Sequence, residues 1–127
     1  MLKPLFPLAL IAALGGCVTT SRAQDDGSIA ARLGQQVDLG GPKVTPIKVL
    51  EDSRCPQEVD CVWAGRVRLE VRIETGAGAS VRELASDSPL PVADGTLELV
   101  RTDPPRSNQG TIAQQDYRFA LRFRGGL

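Results

Sequence analysis

Apolar and charged residues alternate without a break through Val67-Arg68-Leu69-Glu70-Val71-Arg72-Ile73-Glu74. A period of two belongs to a strand with one face buried and the other in water. Tyr117, Phe119, Leu121 and Phe123 repeat it against Arg118, Ala120, Arg122 and Arg124, giving a last strand before Gly125-Gly126. Residues 43–51 form another, with Thr45, Ile47 and Val49 alternating against Lys48 and Leu50. Pro46 within it predicts an edge position or a bulge, because proline has no N–H to give to a ladder. Residues 35–39, 81–85 and 96–101 bring the set to about six, and Val92 marks a short seventh. Turn chemistry separates these runs at Gly40-Gly41-Pro42, Gly76-Ala77-Gly78, Asp94-Gly95 and Pro104-Pro105. The one helical candidate, residues 28–33, is too short to carry a parallel crossover, so the pattern predicts an all-β, antiparallel β-sandwich, Ig-like or small barrel-like. Its expected core is Val37, Leu39, Ile47, Val49, Trp63, Val67, Leu69, Val71, Ile73, Val81, Leu84, Leu97, Leu99, Tyr117, Phe119, Leu121 and Phe123.

The N-terminus follows a different rule. Lys3 precedes an apolar run over residues 5–14, which is too short to span a bilayer as a helix and ends in Leu14-Gly15-Gly16-Cys17. Small residues before a cysteine suit acylation of the thiol followed by cleavage, so residues 1–16 are expected to be a lipoprotein signal peptide and Cys17 the lipidation site. Residues 17–28, rich in Thr, Ser, Asp and Gln, would be a tether, and 29–127 a single domain of about a hundred residues with one core. Stable anchoring needs more than one acyl chain. Val18, standing where an aspartate would signal retention at the inner membrane, points to the outer membrane facing the periplasm. The competing site is Ser21-Arg22-Ala23, whose cleavage after Ala23 would release a secreted protein.

Composition removes whole mechanisms. The chain has no histidine, so Ser-His-Asp triads, Cys-His pairs and His-ligated metals are excluded. No phosphate-cradling or nucleophile-elbow motif occurs. Fifteen basic residues balance fifteen acidic ones, which offers nucleic acid no basic surplus. Catalysis is not expected, and neither is a cofactor.

Residues 52–65, Asp-Ser-Arg-Cys-Pro-Gln-Glu-Val-Asp-Cys-Val-Trp-Ala-Gly, do not follow from strand and turn rules. In an exported chain with Cys17 acylated, Cys55 and Cys61 are an even pair in an oxidising compartment and are expected to form a disulfide, with a free redox pair or a thiolate metal site as the alternatives. Closing so short a loop is worth about 2.4 kcal/mol in the chain-entropy model. The segment resembles small exported, often lipidated bacterial proteins that carry Asp-Ser-Arg-Cys-Pro, a spacer, and Cys-x-Trp-Ala-Gly. Asp52 to Pro56 and Cys61 to Gly65 match that pattern residue by residue. The resemblance implies a compact β domain with this loop as its signature, and implies no activity.

Within the loop, Asp52 and Ser53 suit turns that bond backbone amides, and Arg54 suits a pair with Asp52 or Asp60. Trp63 is expected to pack on the disulfide and core, in which case its loss would cost about 3–5 kcal/mol; the other reading is an exposed binding anchor. Glu51, Asp52, Glu58 and Asp60 invite calcium, but their spacing matches no EF-hand loop, so no metal is expected. Arg66, Arg68 and Arg72, with Arg118, Arg122 and Arg124, would form a ladder for anionic glycans or phosphates if their strands were neighbours; a salt-laced solvent face is the simpler reading. The expectation is a lipid-anchored envelope module that binds an envelope protein or a surface polymer through residues such as Trp63, Arg54, Asp52, Arg68 or Arg122. A carboxylate-based hydrolase or a thiol redox protein at the cysteine loop is the alternative.

Overall fold

The computed structural model describes residues 15–16 and 26–125; Cys17, the rest of the expected signal peptide and most of the tether lie outside the described residues. Among the described residues, eight strands form two four-stranded antiparallel sheets. One holds β1 (Ile29–Ala31), β8 (Arg118–Arg124), β7 (Gly95–Asp103) and β6 (Leu90–Val92) in that spatial order. The other holds β2 (Val37–Asp38), β3 (Lys43–Asp52), β4 (Val67–Thr75) and β5 (Gly78–Ala85). Two-residue turns at Gly76-Ala77 and Ala93-Asp94 close the β4–β5 and β6–β7 hairpins. The all-β sandwich expected from the alternation is what forms, with one more strand than expected.

The two inner faces meet in one core. Val67, Leu69, Val71 and Ile73 of β4, with Leu84, Leu97, Leu99, Phe119 and Leu121, are buried as their alternation requires, and Val44 and Pro46 join them from β3. Leu39, Val49 and Phe123 pack against its margin. Three expected core residues lie elsewhere. Ile47 is 38% exposed because a bulge between Pro46 and Lys48 inserts it out of the alternation. Val81 is 57% exposed because it stands opposite Arg72, on the outer face of the sheet. Trp63 lies on the cysteine loop, outside both sheets. The helical candidate at residues 28–33 is corrected as well, since Ile29–Ala31 is strand β1, paired with Leu121, Ala120 and Phe119. Tertiary pairing overrides weak helix propensity in so short a segment. Ser28, assigned to the tether, is fully buried and bonds Asp26 through its amide and hydroxyl.

Pro46 satisfies both readings of its position. It borders the bulge, and beyond the two residues of β2 its carbonyl accepts from the Gly34 amide at 2.7 Å rather than from a strand. Strand β8 also sets a polarity. Arg122 donates to the Asp26 carbonyl near the end of β8, whereas Tyr117, just before its start, reaches Asp52 and the cysteine loop. Chain entry and cysteine loop therefore occupy opposite ends of the sandwich, about 20 Å apart along β8.

Candidate functional site: the braced cysteine loop

The loop leaves β3 at Asp52 and enters β4 at Val67. Its neck is closed by Ser53, whose amide donates to the Arg66 carbonyl at 2.9 Å while its Oγ accepts from the Arg66 amide at 3.0 Å. Gly65 makes that closure feasible. Its φ is +67°, and a Cβ there would lie 1.9 Å from the Ser53 carbonyl oxygen. Further out, Cys55 and Cys61 are joined as a disulfide with Cα atoms 5.9 Å apart, as expected from the even pair.

Arg54 is the hinge-pin of the arrangement. Its Nε and Nη2 donate to Asp52 Oδ1 and Oδ2, each at 2.8 Å, a two-pronged contact that suits the planar fork. Its Nη1 and Nη2 also donate to the carbonyls of Thr102 and Pro104 at 2.8 and 3.0 Å. Asp52, rather than Asp60, is the partner of Arg54 among the two anticipated, and it additionally accepts from the Tyr117 hydroxyl at 2.9 Å. From the other side Arg106 donates to the Arg54 carbonyl at 2.8 Å, and the Gln57 amide donates to the Arg106 carbonyl. Glu58 accepts from the Ser107 hydroxyl and the Asn108 amide. The loop is thus sewn onto residues 102–108, a contact the sequence signalled only as a proline turn.

What the brace holds out is apolar. Val62 is 94% exposed, Trp63 64% and Val59 46%. The expectation that Trp63 packs on the core is overturned: the disulfide and the Arg54 bonds hold the loop by themselves, and the indole has no place between the sheets. The anionic ladder is overturned too, because Arg68 sits in β4 and Arg122 in β8, strands of different sheets. Each is already paired, Arg68 with Glu83 and Glu51 at 2.9 and 3.3 Å, Arg122 with Glu98 at 2.7 Å. Glu51, Asp52 and Glu58 spend their oxygens on different partners, and among the described residues no group of three carboxylates or thiols is placed to hold a metal.

A shallow cleft of about 240 Å³ opens beside the brace, lined by Leu50, Glu51, Asp52, Arg106, Ile112 and Tyr117. Its two central groups are held away from neutral titration. Burial alone would raise the Asp52 carboxyl, but hydrogen bonds from Arg54 and Tyr117 and the Arg54 charge prevail and hold it below its ordinary 3.8. Burial and the bond to the Asp52 carboxylate push the Tyr117 hydroxyl up to about 12. An acid or base useful at neutral pH titrates near that pH, and these two flank it widely.

Asp52, depressed on folding, contributes stability that is present above pH 3.8 and is lost as pH falls through its folded value. Tyr117, raised on folding, contributes stability that is present below pH 10 and is lost as pH climbs towards about 12. Thermal melts across this range should show both limbs. Tyr117→Phe should flatten the alkaline limb and, because the Tyr117 hydroxyl donates one of the bonds that hold Asp52 down, shrink the acidic limb to the part that Arg54 maintains; an unaltered alkaline limb would assign it to other groups.

Comparisons with protein-family models, curated proteins and solved structures gave no match.

Proposed function

We propose that the protein is a lipid-anchored β-sandwich of the cell envelope, held by Cys17 in the outer membrane, that binds another envelope protein through Val62 and Trp63 without catalysing a reaction. One observation carries the reading: a tryptophan and a valine stand in solvent on a loop that a disulfide and a half-buried, carboxylate-paired arginine brace. Exposing large apolar groups costs solubility, and tryptophan held in advance in one position is a typical anchor for an apolar pocket, because little conformational freedom remains to be lost on binding. The polarity along β8 supports the same role. A chain tethered at Asp26 would present the loop away from the anchoring membrane, towards the periplasm. Paired surface charges and the balance of basic and acidic residues favour a protein over nucleic acid.

A photoreactive residue at position 62 tests the contact in cells. A discrete adduct is expected from 62, lost on Trp63→Ala, and none from the exposed position 81 of β5. Equal adducts from both positions, or adducts indifferent to Trp63→Ala, would sink the reading. Because the indole is exposed, Trp63→Ala should change stability by no more than about 0.5 kcal/mol, measured as an unshifted urea midpoint. Intact mass of membrane-extracted protein should show residues 17–127 plus acyl chains; a chain beginning at Gln24 would replace the anchored protein with a diffusing one.

A further inference from the structure

Almost every arginine among the described residues has a side-chain partner. Arg54, Arg66, Arg68, Arg72, Arg101, Arg122 and Arg124 hold carboxylates, while Arg82 and Arg106 hold backbone carbonyls. The guanidinium groups of Arg32 and Arg118 have none. These two are not scattered. The β1–β8 ladder ends where Ala31 stands opposite Phe119, and Arg32 follows directly after β1 as Arg118 opens β8 at the same end. Both line the same groove of about 250 Å³, with Asp103, Pro104, Gln115 and Asp116. Like charges that line one groove repel, and the acid beside Arg118, Asp103 across the β7–β8 ladder, is engaged by Arg101 at 3.1 Å. Asp116, on the rim, forms an ion pair with neither.

We infer that Arg32 and Arg118 form a binding site for a phosphoryl group. A carboxylate presents one coplanar pair of oxygens and so meets one guanidinium fork face-on, whereas a tetrahedral phosphate offers an oxygen pair to each of two forks at once and carries more charge. Its charge would also relieve the repulsion between the two side chains, and Gln115 adds a neutral donor on the same rim. The groove has room for a phosphate and a small organic substituent. This site lies on the β1–β8 sheet and is independent of the contact proposed for Trp63.

The test follows the arginine Nε–Hε resonances of the full chain in neutral detergent during titration with sodium phosphate, against sodium acetate at matched ionic strength. Arg32 and Arg118 should shift to saturation with phosphate at concentrations about tenfold below any effect of acetate. Arg118→Gln should raise the half-saturation read at Arg32 about tenfold, Arg118→Lys should fall between because it keeps charge but loses the fork, and Arg72→Gln should change nothing. Both positions are exposed, so these variants should fold as the parent does. Glycerol 3-phosphate distinguishes the source: saturation below that of inorganic phosphate identifies a phosphate ester, and the reverse identifies the free ion. Shifts that remain linear, that acetate reproduces at the same concentration, or that survive Arg118→Gln unchanged would overturn the assignment.

Discussion

Gly65→Ala should destabilise the domain by about 4 kcal/mol, more than most single substitutions of any kind. Two effects combine. The backbone at Gly65 has φ +67°, in the left-handed region, where an L side chain costs about 1–2 kcal/mol. The new Cβ would then fall 1.9 Å from the Ser53 carbonyl oxygen and 2.9 Å from the Arg54 Cα. Both obstacles are backbone atoms, and neither can turn aside as a side-chain tip would. The neck of the loop must open, which breaks the paired bonds between Ser53 and Arg66 and drags Arg54 from its carboxylate. For a domain of this size the loss amounts to about 15 °C or more in melting temperature. Gly76→Ala is the control, since nothing lies within 4 Å of a Cβ there. Equal melting temperatures for the two variants would show that the neck does not govern stability.

Asp52→Ala is expected to cost about 3 kcal/mol, because it strands two groups rather than one. The carboxylate is only 11% exposed and its Arg54 partner 20%, so neither is well served by water. Without Asp52, the guanidinium keeps the Thr102 and Pro104 carbonyls but loses its neutralising charge. The Tyr117 hydroxyl, on a residue that is 4% exposed, loses its acceptor. Asp52→Asn separates the contributions: it retains an acceptor for Tyr117 and removes the charge that faces Arg54. It should fall between the parent and the alanine variant in urea melts. A double-mutant cycle between Asp52→Asn and Tyr117→Phe measures the hydrogen bond itself. Additive losses would mean that Tyr117 and Asp52 act independently.

These predictions rest on features with different origins. Alternation along residues 67–74 and 117–123 was enough to identify β4, β8 and the faces they bury, because the pleat assigns successive side chains to opposite sides whatever the rest of the chain does. The Cys55–Cys61 bridge and the Arg54–Asp52 pair were likewise legible, being local contacts between residues a few positions apart. Ile47 escaped the reading because its bulge depends on how β3 meets β4, and Val81 because one register step decides which face a residue joins. Residues 28–33 looked faintly helical until β8 supplied a ladder for Ile29–Ala31. The outward Trp63, the brace from residues 102–108 and the division of the arginines between two sheets all depend on contacts between segments tens of residues apart. Local periodicity is a property of the backbone and can be read along the chain, whereas the meeting of distant loops is set by how the two sheets pack, so the sequence by itself determined the staple and every strand but β1, and only the tertiary structure decided what the staple holds out to solvent.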